Sequence, residues 1–172
     1  MSELILPTAI LYRFNSEMLT LALSGLSPED AVRRWKGGEG SSIAYLTGHL
    51  MSSRYGLLKT LGAADENPYK DLYGTGVGSK DGSDYPSIAE LSTGWSDTAA
   101  RLHEALEGLS DDDARSEGDG SFPIPDNTLR GNLTFIAWHE SYHIGQIGIM
   151  RTEMGYPSMR QALYAARTAQ SG

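Results

Sequence analysis

Apolar residues recur at steps of three and four along four long stretches of the chain, the spacing of one buried helix face. The first stretch covers residues 7–23, with Leu11, Phe14, Met18 and Leu21 on its stripe. The second covers residues 41–61 and puts Leu46, His49, Ser53, Leu57 and Leu61 on one face. The third, residues 87–109, is the most regular: Ile88, Leu91, Trp95, Thr98, Leu102, Ala105 and Leu109 alternate the two steps. Ser87, with Glu90 three positions later, predicts a capping box at its start. The fourth covers residues 129–154 and carries Ile136, His139, His143, Ile147, Met150 and Met154, after which Gly155 and Pro157 stop it. Ser158 then predicts the N-cap of a short fifth helix over residues 158–167.

The connections are built from Gly, Pro, Asp and Ser and carry little strand signal. Four amphipathic helices sharing one core predict an all-α fold: a four-helix bundle with a short C-terminal helix, as a single domain over residues 1–172. The connection over residues 62–86, marked by Gly74, Gly76, Gly78 and Gly82, is the longest. About 25 residues can run back along a 20-residue helix, about 30 Å at 1.5 Å per residue. That length permits helices two and three to run parallel, in up-down-down-up order, where a simple up-down bundle normally uses shorter links. The acidic run of Asp111, Asp112, Asp113, Glu117 and Asp119 reads as a solvated connection.

Composition narrows the function. A chain of 172 residues suits one compact domain with a real core. A net charge of -8 repels phosphate backbones and argues against nucleic-acid binding. No stretch of about 18 apolar residues suggests a membrane span, and the start of the chain has no basic segment before an apolar one, so the cytoplasm is the expected compartment. There is no cysteine, which excludes a disulfide scaffold, a thiolate-bound metal and a cysteine nucleophile. A metal must therefore sit on His, Asp or Glu.

The candidate chemistry lies in the segment from Trp138 to Ile147. His139 and His143 are four positions apart, so both rings can meet one ion from the same helix face. They also lie on the apolar stripe between Ile136 and Ile147, where unpaired polar groups cost roughly 1–3 kcal/mol each. A bound metal or a hydrogen-bonded pair would supply the missing partners, and the spacing favours metal. A divalent ion needs a third ligand. His49 follows Leu46 on the core face of the second helix, whereas His103 sits beside the stripe of the third, next to Glu104 and Glu107, and reads as a surface or boundary residue. Three neutral imidazoles leave room for water or substrate on the ion, the catalytic rather than the structural pattern.

Two other motifs overlap the same residues. His139-Glu140-Ser141-Tyr142-His143 matches the zinc-protease helix, but the extended form needs Gly and His where Gln146 and Ile149 stand. The alternative carboxylate ligand, Glu153, is roughly 15 Å along the same helix. Glu140 and His143 also match half of a di-iron carboxylate motif, and no second copy exists.

With His49 in Gly48-His49-Leu50 and the block His139-Glu140-x-x-His143-x-Gly145-Gln146-Ile147, the chain resembles the DinB family of YfiT-like metalloenzymes. The resemblance covers most of the chain. It implies an up-down-down-up bundle, commonly a homodimer, with one divalent transition metal on His49, His139 and His143. Zinc or nickel comes first, and manganese and iron are also associated with the fold. Characterised relatives include thiol-dependent S-transferases and isomerases, so the implied partner is a small-molecule substrate, with a low-molecular-weight thiol as cosubstrate because the chain has none. A hydrolase would instead use a metal-bound water with Glu140 as catalytic base, although Glu140 also reads as a helix-surface carboxylate. A third reading is a non-catalytic, stress-associated metal-binding bundle. Gln146 is expected beside the ligands, and Tyr142 either there or packed against another helix.

Overall fold

A computed structural model describes residues 1–63, 66–73, 78–80, 84–118, 120 and 122–170. Gly74, Gly76 and Gly82 of the long connection and Asp119 of the acidic run lie outside the described residues. Eight α-helices are described: α1 (Leu6–Leu23), α2 (Pro28–Val32), α3 (Ile43–Thr60), α4 (Lys70–Tyr73), α5 (Ile88–Glu107), α6 (Asp111–Arg115), α7 (Leu129–Glu153) and α8 (Met159–Gln170), with a short 3-10 turn at Lys36–Gly38. Among the described residues there is no strand, only an isolated antiparallel bridge between Glu117 and Thr128. No helix described is long and apolar enough to cross a membrane.

The four long helices form the bundle. α1 and α3 each pack against both α5 and α7, so α1 and α3 stand diagonally opposed. The core divides into two apolar clusters that fix the direction of every helix. One holds Leu19 and Leu23 of α1, Leu46 and Leu50 of α3, Leu91 and Trp95 of α5, and Ile147 and Met150 of α7. The other holds Ala9 and Tyr12, Leu57 and Leu58, Leu102 and Leu106, and Leu133 and Ile136 from the same four helices. Going from the second cluster to the first, α1 and α7 run forwards while α3 and α5 run backwards. This is the up-down-down-up order, and residues 61–87 make the crossover between the two parallel helices.

Local signals place the helix ends. Ser87 and Glu90 form the expected capping box. Thr128 accepts from the Gly131 N–H at the start of α7. A side chain at Gly131 would meet the Asp126 carbonyl at 1.9 Å, so only glycine admits the entering chain this close. Gly155, at φ +86°, turns the chain just beyond α7, and Ser158 accepts from the Gln161 N–H to open α8. The acidic connection departs from a plain solvated loop. Ser110 and Asp113 form a second capping box, and Asp111 to Asp113 sit in the first turn of α6, where the helix dipole favours negative charge.

The stripe of α5 lies inward as expected, with Leu91, Trp95, Thr98 and Leu102 buried. The stripe of α1 does not. Leu11 and Phe14 are exposed, and the buried face is Ala9, Tyr12, Asn15, Leu19, Ala22 and Leu23. The inner face is set by small size and hydrogen bonding: Tyr12 Oη donates to the Leu133 carbonyl at 2.8 Å and Asn15 Nδ2 to the Ala137 carbonyl at 3.0 Å. Leu11, Phe14 and Met18 instead line an outer groove with Ile149 of α7 and Met159 of α8.

Candidate metal centre

Between the two apolar clusters lies a polar layer. α3 contributes His49 and Arg54, α7 contributes His139, Glu140 and His143, and α1 contributes Asn15. Arg54 and Glu140 are fully buried. Arg54 Nε donates to Glu140 Oε1 at 2.7 Å and Nη2 donates to Oε2 at 3.0 Å. Asn15 Nδ2 approaches Oε2 at 3.4 Å, Ser16 Oγ accepts from Arg54 Nη2, and the guanidinium lies 3.5 Å over the Trp95 ring. Glu140 is therefore not a helix-surface carboxylate. It sits one position, about 100°, from His139, and that turn carries it into the core against Arg54.

The histidines turn the other way along the same α3–α7 seam and are half-buried. His139 Nε2 lies 3.1 Å from His49 Nε2 and 3.1 Å from His143 Nε2. All three nitrogens fall within 4.8 Å of one another. Two of the three are held on their far sides. His143 Nδ1 donates to Gln146 Oε1 at 2.6 Å, and Gln146 Nε2 donates in turn to the Tyr142 hydroxyl at 3.3 Å. His49 donates to the Tyr73 backbone, and since its Nε2 faces His139 the donor is Nδ1. A neutral imidazole with its proton on Nδ1 presents a lone pair at Nε2. Two lone pairs thus point at His139 Nε2, which can donate to only one of them. His139 Nδ1 is itself buried without a partner.

This donor set fits a divalent transition ion. Two imidazoles bound at about 2.0–2.1 Å on a tetrahedral ion lie about 3.3 Å apart, close to what is seen here. Protonation states agree. Burial first, then the charges of His143 and His49, lower His139 to about 4. Burial and His143 lower His49, and burial lowers His143 against an opposing push from Gln146. All three are neutral ligands at pH 7.

His103 stands elsewhere, between Arg13 and Glu107, and takes no part in the cluster. Trp138 and Tyr142 are more than half exposed. Sequence reasoning did not pick out Arg54 or Tyr73. Arg54 had a signal, because a cation between Met51 and Leu57 sits at core spacing and demands a counter-ion. Tyr73 had none, since the crossover has no period from which its position could be read. It packs where a Cβ on Gly48 would lie 2.1 Å from its ring, so the glycine before His49 is what admits it.

A family model described as the DinB superfamily matches residues 11–147. No curated protein matches the chain significantly. Among solved structures it is similar to a conserved protein from Enterococcus faecalis, with a TM-score of 0.65 at 13% identity over 88% of this chain and 96% of that one. That similarity speaks to the fold.

Proposed function

For a chain that belongs to the DinB superfamily, we propose that His49, His139 and His143 hold one divalent transition metal and that the protein is a metalloenzyme activating a low-molecular-weight thiol for transfer to, or isomerisation of, a small electrophilic substrate. The observation that carries this reading is the convergence of three Nε2 atoms whose outer nitrogens are, in two cases, already committed as donors. When bound, the ion supplies Lewis acidity that lowers the pKa of a thiol at the centre.

The chain's own residues have distinct tasks in this reading. The Tyr73 carbonyl and Gln146 Oε1 fix the tautomers of His49 and His143, so that both present Nε2 inward. Arg54 and Glu140 tie α3 to α7 beside the histidines and stabilise the fold there. Both carboxylate oxygens of Glu140 accept from Arg54, so we assign it this holding role and not that of a base. With no cysteine in the chain, the nucleophilic sulfur comes from a cosubstrate.

The test is turnover by zinc- or nickel-loaded protein with small thiols and a panel of electrophiles, set against ester and amide substrates without thiol. Thiol-dependent consumption of the electrophile that is lost in His139→Ala supports the proposal. Thiol-independent ester or amide hydrolysis would replace it with a hydrolase, and no turnover in either arm with metal bound would leave a non-catalytic metal protein.

A further inference from the structure

The apolar stripe of α1 that the fold leaves outside forms one wall of a groove. Leu11, Phe14 and Met18 share a cavity of about 650 Å³ with Ile149 of α7 and Met159 of α8, well inside the volume range of small-molecule sites. Phe14 is 45% exposed and Ile149 52%. Large apolar side chains gathered in the open on one face are a mark of binding surfaces. The groove follows the side of α7 that meets α1, through Ser141, Gly145 and Gly148, whereas His139, His143 and Gln146 lie toward α3. It is a separate place from the three histidines. A Cβ on Gly145 would meet nothing within 4 Å, so the space above that glycine is free.

The polar groups lining the groove are spent, with one exception. Asn15 Nδ2 donates to the Ala137 carbonyl and toward Glu140. Ser141 Oγ lies 3.0 Å from both the Ala137 carbonyl and Asn15 Oδ1, and its single proton serves one of them. Thr152 Oγ1 donates to the Gly148 carbonyl, and Ser158 Oγ to Gln161 Oε1. Two charged residues stand at the α8 end. Glu153 already accepts from Trp35 Nε1. Arg160 has no carboxylate partner among the described residues and only lies over the Tyr164 ring, 5.6 Å from its centre. The groove thus offers apolar walls and, at one end, a guanidinium whose donors are unused. An apolar body with a single anionic end complements both.

We propose that the α1–α7–α8 groove binds a free medium-chain carboxylate, its tail along Leu11, Phe14 and Ile149 and its head at Arg160. The outward apolar stripe of α1 then has a task that packing of the bundle does not give it. The proposal stands independently of the metal reading, since no histidine lines the groove.

Isothermal titration calorimetry on the full chain tests it with dodecanoate, octanoate and dodecylammonium, each below its micellar range. Dodecanoate is expected to bind at a single site and at least about 10-fold more tightly than octanoate, each fully buried methylene being worth about 3- to 4-fold. It should exceed dodecylammonium by about 3-fold or more, the difference between meeting and opposing one exposed cation. A net charge of -8 favours the ammonium elsewhere on the surface, so this order is specific to the groove. Arg160→Gln should weaken dodecanoate about 2- to 5-fold, the worth of an exposed ion pair. Gly145→Leu fills the groove and Ile149→Ser removes part of its wall; each should weaken dodecanoate about 3- to 10-fold. Both positions are exposed, so both variants should melt as wild type does. Dodecylammonium bound as tightly as dodecanoate, or dodecanoate binding unchanged in both Gly145→Leu and Ile149→Ser, would overturn the proposal. So would the absence of saturable dodecanoate binding; if wild type then sediments as a dimer that Gly145→Leu breaks, the groove belongs to a second copy of the chain.

Discussion

Two polar clusters, one buried and one half-buried, lie side by side on the α3–α7 seam, and they differ in what they lack. The Arg54–Glu140 pair balances its own charge: opposite signs, two hydrogen bonds at 2.7 and 3.0 Å, Asn15 and Ser16 on the flanks, and only Arg54 Nη1, in the guanidinium stacked on Trp95, without a hydrogen-bond partner. The His49–His139–His143 cluster cannot close. Three like atoms meet at their lone-pair sides, and one proton between them leaves at least one nitrogen without a partner. Residues of one helix pair, a position apart, thus separate into a charge-balanced structural element and one completed by a cation. Polarity and burial do not mark a functional site on their own; several lone pairs converging on one point do.

The comparison breaks most severely at the closed cluster. Arg54→Ala leaves a buried carboxylate without its counter-ion and should lower the unfolding free energy by about 3–5 kcal/mol in urea melts. Arg54→Met combined with Glu140→Met should recover most of that loss, since a buried ion pair is often replaceable by apolar groups of similar volume. If the double variant also binds metal, the two clusters are energetically separate.

The open cluster responds to its ion. A divalent metal held at 100 times its dissociation constant should add about 2.7 kcal/mol to stability. That gain should vanish in His49→Ala, His139→Ala and His143→Ala and persist in Arg54→Met/Glu140→Met. Next in size, Gln146→Leu removes the acceptor that orients His143 and should weaken metal affinity about 10- to 100-fold in a competition assay, with little change in the melting of metal-free protein.

A further effect is on pH. In metal-free protein His139 titrates near 4 in the fold, against the ordinary 6.5. The unfolded chain therefore takes up this proton first, and protons favour unfolding between the two values. Stability should fall as pH drops from about 6.5 toward 4, with no further loss from this group below that. The decline should be shallower in His139→Ala, and an equal slope would mean that the histidine is solvated in the fold.

Much of this architecture was legible in the sequence, and the exceptions share a cause. The α5 stripe is readable because its inward residues are its large apolar ones, Leu91, Trp95 and Leu102. The seam histidines stand out because they interrupt an apolar stripe four positions apart. α1 misleads because its larger apolar residues, Leu11 and Phe14, face outward while Ala9, Asn15 and Ala22 face the core. Residue size and hydrophobicity predict the inward face only when packing does not demand small side chains or hydrogen bonds to a neighbouring helix. Glu140 needed a partner on another helix to be placed, and Arg54 was the missing term. Tyr73 enters by the crossover, and its contact with Gly48 exists only in three dimensions.

The central claim is that the three histidines form one cation site, and metal content per chain tests it most directly. Elemental analysis of untagged protein, after loading and desalting, should find about one transition-metal ion per chain in wild type and in His103→Ala, and essentially none in His49→Ala, His139→Ala or His143→Ala. Wild-type protein that stays free of metal after loading, or a His139→Ala variant that keeps a full equivalent, would contradict it.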